Sequence, residues 1–121
     1  MTDATLLLRQ IHPSFVKLGR ATSAAFRPTP KDEHKLSVYH GDMITPLESF
    51  HHYCERKLES AGVMAVSVAD CTSQGLPSRH SPQEFPEHAE IDFTGINGSQ
   101  CEKKGKKLRE AADQRGWLHQ A

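Results

Sequence analysis

Arg9, His12, Ser37 and Glu90 are the side chains of this sequence best suited to chemistry. A histidine moves protons near neutral pH, a hydroxyl orients or attacks, and a carboxylate serves as a base or holds a ribose. Arg27 and Lys31 add cations that can hold a phosphate, and Thr22 and Ser23 add hydroxyls beside them. Cleaving or transferring a phosphate needs this combination, because developing negative charge requires fixed cations and a positioned base. Arg9, His12, Ser37 and Glu90 are therefore the expected catalytic set, with Arg27, Lys31, Thr22 and Ser23 expected to bind substrate. No spacing here is diagnostic, and a plainer reading competes. In it "HPSF" is a turn whose His12 or Ser14 bonds backbone, and "RPTPKDE" is a solvated loop.

Other clusters carry weaker signals. His88, Glu90 and Asp92 alternate, so on a strand they share one face, where they can bind a cation or simply charge an edge. His51, Cys54 and Glu55 are neighbours on a helix, but HHxxC lacks the second half of a zinc pattern. "KKGKKLR" is flanked by acids at four-residue spacing, which suits a solvated, ion-paired helix face. No phosphate-cradling glycine motif is present, no metal site is expected, and no cofactor is specified.

These residues have to be positioned by elements read from pattern. "ATLLLRQI", "RATSAAF" and "KLSVYHG" read as strands. "TPLESFHHYCERKLES" opens with a Thr45–Glu48 capping box and a proline at its first turn, and its stripe is Leu47, Phe50, Cys54, Leu58 and Ala61. "GVMAVSVAD" reads as a central strand, residues 71–87 as a long proline-containing loop, and "HAEIDFTG" as a strand with one polar face. A last helix is expected to start at a Ser99–Glu102 box, pack through Cys101, Gly105, Leu108 and Ala112, and stop at Gly116, with Trp117 and Leu118 docking beyond it. The expected fold is α+β: one small twisted sheet of about five strands with two helices on one face, in the order β-β-β-α-β-β-α.

Composition sets the outer limits. A chain of 121 residues is one domain, 1–121, and 36% apolar residues suffice for a lean single core. Fifteen basic and 15 acidic side chains balance, so binding to nucleic acid or a membrane by bulk charge is not implied and would have to come from a local basic patch. No secretion signal or membrane-length apolar run is visible, and three cysteines without CxxC spacing read as reduced thiols. The expectation is a cytoplasmic protein without a membrane partner.

The stretches "LLRQIHPSF", "TSAAFRPTPKD", "LSVYHGD", "VMAVSV", "PEHAEIDF" and "KKLREAADQRGWL" resemble a family of small uncharacterised bacterial proteins, a likeness that spans most of the chain and implies no activity. Arg9 or His12, then Thr22-Ser23 or Ser37, then Glu90 follow an order similar to ADP-ribosyltransferases. That resemblance implies a nicotinamide-dinucleotide cleft lined by an early basic residue, a hydroxyl-bearing strand and a late carboxylate. Two functional expectations follow. In the first, the protein is an enzyme acting on a nucleotide or nucleic-acid phosphate, with a nucleotide or RNA as partner. In the second, it is a non-catalytic protein-binding module of immunity or adaptor type, anchored by Phe15, Phe26 or Phe85.

Overall fold

The structure, a computed structural model, describes residues 1–121. Its centre is a six-stranded sheet built from β1 (Leu6–Ile11), β4 (Lys35–His40), β5 (Gly62–Ser67), β6 (Ser78–His80), β7 (His88–Asp92) and β8 (His119–Gln120). Spatial order is β6-β7-β4-β1-β5-β8, with every neighbouring pair antiparallel. A small hairpin, β2 (Val16–Lys17) and β3 (Arg20–Ala21), stands apart from it. The helices are α1 (Pro46–Glu55), α2 (Val68–Ser73) and α3 (Gly98–Arg115).

The fold is α+β, and it is richer than five strands and two helices. "RATSAAF" is a strand for only two residues. From Ser23 to Phe26 it winds into a 3-10 turn that drives the fully buried Ala25 and Phe26 into the core. The expected loop 71–87 contains the end of α2 and all of β6. Ser67 and Asp70 form a capping box that starts α2 directly from the end of β5. The last helix starts earlier than Ser99, because Asn97 accepts a hydrogen bond from the Gln100 amide at 3.0 Å. Strand β7 is not an edge, since β6 covers its free side.

Both faces of the sheet are covered, which corrects the expectation of helices on one side. Leu7, Ile11, Leu36, Val38, Met64, Val66, Ala89 and Ile91 form one core face, closed by Phe26 and by Leu108 and Ala112 of α3. Gly105 lets α3 approach closely, since a Cβ there would lie 3.2 Å from the Ser23 carbonyl oxygen. The opposite face presents Leu8, Tyr39, Val63 and Ala65 to Phe50 and Tyr53 of α1, to Phe85 and to Leu118. Strand β5, between these layers, is buried at all six positions.

Helix α1 is seated by polar groups as well as apolar ones. The Thr45–Glu48 box forms as expected, with bonds of 3.1 and 3.0 Å. The apolar stripe does not, because Leu47, Cys54 and Leu58 are exposed. The buried face instead carries Ser49, which is 0% exposed and accepts a bond from Gln10 Nε2 at 3.0 Å. The Ser60 hydroxyl donates to Gln10 Oε1 at 2.8 Å, so a strand glutamine ties together both ends of the helical segment. Helix α1 spans only ten residues and lies over β1, β5 and β8. The β4–β7–β6 half of that face is therefore left open to whatever the 81–87 loop does not cover.

Candidate functional site

The site begins where two central strands part. Strand β1 pairs with β5 along its whole length, from Leu6↔Ser67 to Ile11↔Gly62. With β4 it pairs only at Leu7↔His40 and Leu8↔Tyr39. Continued, that register would set Arg9 opposite Val38, but the ladder stops and the Arg9 side chain fills the gap. Its Nε donates to the Ala25 carbonyl at 2.8 Å, and its Nη1 donates to the Ser37 carbonyl at 2.9 Å. A guanidinium thus satisfies one β4 carbonyl that the interrupted ladder leaves open and ties the 23–26 turn to β4. Burial holds the Arg9 pKa below the ordinary arginine value, while Tyr53 and Asp32 favour the charged form. Nη2 makes no hydrogen bond within the protein.

A cleft of about 230 Å³ opens over this gap. Gln10, Ser37, Tyr39 and His88 form its floor; Tyr53, Arg56 and Leu58 come from the end of α1 and the residues after it. Glu84, Phe85 and Asp32 complete its lining. Its charges are partly committed. Arg56 pairs with Glu84 at 3.3 Å and lies 4.9 Å from the Phe85 ring centre. Asp32 accepts bonds from the Thr29 amide and hydroxyl, both at 2.7 Å.

Phe85 organises the upper wall, with ring centres 4.6 Å from His52 and 5.2 Å from both Tyr39 and His88. The Tyr39 hydroxyl and His52 Nδ1 share a bond of 2.8 Å, and burial pushes the Tyr39 pKa up to about 12, against the pull of nearby Arg56. His88 is the most tightly held. Its Nδ1 lies 2.8 Å from the Ser81 carbonyl oxygen, its Nε2 lies 3.3 Å from Ser37 Oγ, and only 7% of its surface is exposed. Backbone bonds from Ser81 N to His88 O and from His88 N to Phe85 O fasten the loop to the same residue.

Of the eight expected residues, the structure brings Arg9 and Ser37 to one cleft. His12 is elsewhere: its Nδ1 accepts from the Ser14 amide at 3.0 Å and caps the 13–15 turn, as the plainer reading had it. Thr22 and Ser23 begin the 23–26 turn, which packs against α3, and Arg27 reaches Glu102 of α3 at 3.9 Å. Lys31 is exposed beside Asp32 at the rim. Glu90 is opposite Ser37 in register but turns to Arg79 at 3.9 Å.

His88, Glu90 and Asp92 do share a face, yet they divide between Ser37 and Ser81 on one side and Arg79 on the other. The basic helix is tied down by Lys107–Glu110, Arg109–Asp113 and a bond from Lys104 to the Gln74 carbonyl. No helix is long and apolar enough to cross a membrane.

Sequence reasoning did not assign the roles of Gln10, Tyr53, Arg56 and His88 in this cleft. Only His88 had a signal, its place on the polar face of β7. Comparisons with protein-family models, curated proteins and solved structures find no match to this chain, so its own geometry carries the functional reading.

Proposed function

We propose that the protein is an enzyme acting on a small phosphorylated molecule, a mononucleotide among the candidates, whose phosphate seats in the Arg9–Arg56 cleft. The observation that carries this reading is the free Nη2 of a fixed arginine, in the same cleft as Arg56, Ser37 and two tyrosines. A guanidinium already immobilised by two carbonyls loses little freedom on binding an anion. The cleft volume suits a phosphate and the group it esterifies, with the remainder of a nucleotide lying along the open β4–β7–β6 face. Glu84 competes for Arg56, so binding has to exchange one carboxylate for another anion.

The protein-binding alternative draws less support. Phe26 is fully buried, Phe15 is partly buried against the same core, and Phe85 is packed among Tyr39, His52 and His88, so none of the three is a free anchor.

Titration of the amide NMR spectrum with inorganic phosphate and with a mononucleotide tests the reading. Saturable shifts at Ser37, Arg56 and His88 are expected. Arg56→Ala should weaken binding about tenfold, the effect of losing one charge-assisted bond, and Glu84→Gln should strengthen it. Absence of cleft shifts at millimolar ligand would remove this reading.

A further inference from the structure

We infer that Ser37 is a nucleophile and His88 its general base, so that the cleft hydrolyses phosphate monoesters through a phosphoserine. The inference rests on the phosphate-binding reading and names the chemistry of that site. A carbonyl oxygen only accepts, so the 2.8 Å contact with Ser81 O places the proton on His88 Nδ1. In the neutral ring Nε2 is then a bare acceptor, and the hydrogen bond at 3.3 Å runs from the Ser37 hydroxyl to it. Nucleophile, base and a third group that fixes the tautomer of the base form the arrangement covalent catalysis requires.

Accessibility divides between the pair as the chemistry needs. Ser37 is exposed toward the cleft, while His88 beneath it is buried against Phe85. The residue that presents Ser37 is also anchored from behind, because Arg9 Nη1 holds its carbonyl. The attacking hydroxyl and the cation meant for the transferred group are thus joined through one hydrogen bond.

The step balances without a further reactant than water. Ser37 Oγ attacks phosphorus as its proton passes to His88 Nε2, and the P–O bond to the alcohol breaks. The leaving oxygen takes the proton from the imidazolium. Water then attacks the phosphoserine, giving its proton to Nε2, the Oγ–P bond breaks, and Oγ recovers the proton. The net change is phosphate monoester plus water to alcohol plus inorganic phosphate. Arg9 and Arg56, which line the same cleft, supply the positive charge for the phosphoryl oxygens.

The test compares wild type, Ser37→Ala and His88→Gln for turnover of p-nitrophenyl phosphate and a mononucleotide. Phosphate binding is followed by NMR on the same samples, which also reports folding. Expected are turnover by wild type, a loss of at least about a hundredfold in both variants, retained phosphate binding by Ser37→Ala, and phosphate on the Ser37 peptide after acid quench. Phosphate binding in the cleft without turnover, or turnover that survives Ser37→Ala, overturns the nucleophile assignment and leaves the binding site standing. Ser37-dependent cleavage of p-nitrophenyl acetate but not of the phosphate overturns the phosphoryl chemistry. No phosphate binding at all overturns the underlying reading instead.

Discussion

Replacing Arg9 by methionine keeps most of the aliphatic stem and removes the wedge between β1 and β4. Two bonds from a charged donor are lost, to Ala25 O at 2.8 Å and Ser37 O at 2.9 Å. Bonds of this kind contribute roughly 1.5–3 kcal/mol each. Against that stands the cost of holding a guanidinium inside protein, several kcal/mol for a fully enclosed ion but less here, because Arg9 is among the residues that line the cleft. The two abandoned carbonyls fare differently. Water reaches Ser37 O through the cleft, whereas Ala25 is 0% exposed and its carbonyl is left without a partner, at a cost of about 1–3 kcal/mol. The net expectation is a destabilisation of about 2–3 kcal/mol, or a fall in Tm of about 10 °C for a domain of this size.

Urea unfolding followed by Trp117 fluorescence measures the change, with the m-value unaltered if only stability moves. Arg56→Met is the control. Its pair with exposed Glu84 and its stacking on Phe85 are both surface interactions, so the loss there should stay within about 1 kcal/mol. An Arg9→Met protein as stable as the control would refute the idea that this side chain satisfies a carbonyl the interrupted ladder leaves open.

Two further predictions address the charged and thiol groups. Asp92 is held below the usual carboxylate range by bonds from Thr94, with Lys35 and Arg79 adding to the effect. A group whose folded pKa is depressed contributes stability above its unfolded value and loses it as pH falls through the folded one. Asp92→Asn should therefore cost about 1 kcal/mol at neutral pH, and the difference from wild type should close below pH of about 4. A gap that persists at low pH in urea titrations would mean that the side chain acts through shape rather than charge. Cys71 is buried and its thiol is pushed up to about 12 by that burial and by Asp70, while Cys54 is exposed. A disulfide reagent at mildly basic pH should label Cys54 rapidly and Cys71 only on unfolding; early labelling of Cys71 by mass spectrometry would contradict the packing of α2.

Elements whose signals are local were legible in the sequence. The Thr45–Glu48 box, the apolar run of β5, the alternation of β7 and the small-residue face of α3 each depend on neighbours a few positions away, and each is present. What failed depended on distant partners. Leu47, Cys54 and Leu58 look like a buried stripe, but the surface under α1 offers Gln10, and a helix with Ser49 at its seat satisfies that amide where a fully apolar face would strand it. "RATSAAF" suits a strand by composition, yet Phe26 reaches the core only if the chain turns at Ser23. Leu18 at φ 52 and Gly19 at φ 77 turn the β2–β3 hairpin, a conformation that leucine seldom announces.

The cleft has the same origin. Arg9 and Ser37 were legible as chemistry because arginine and serine in strands invite an explanation, but their meeting depends on β1 pairing fully with β5 and barely with β4. Local sequence does not encode that asymmetry; Arg9 makes it tolerable by supplying donors where the ladder has none. His88 was visible only as one of three alternating polar residues, and its separation from Glu90 and Asp92 came from two external facts. Ser81 O fixes its tautomer, and Arg79 on the neighbouring strand draws both carboxylates away. With the acids removed, the imidazole is left to the one hydroxyl within reach, Ser37. The site is thus a consequence of ion pairing on the open half of the sheet as much as of the residues that line it.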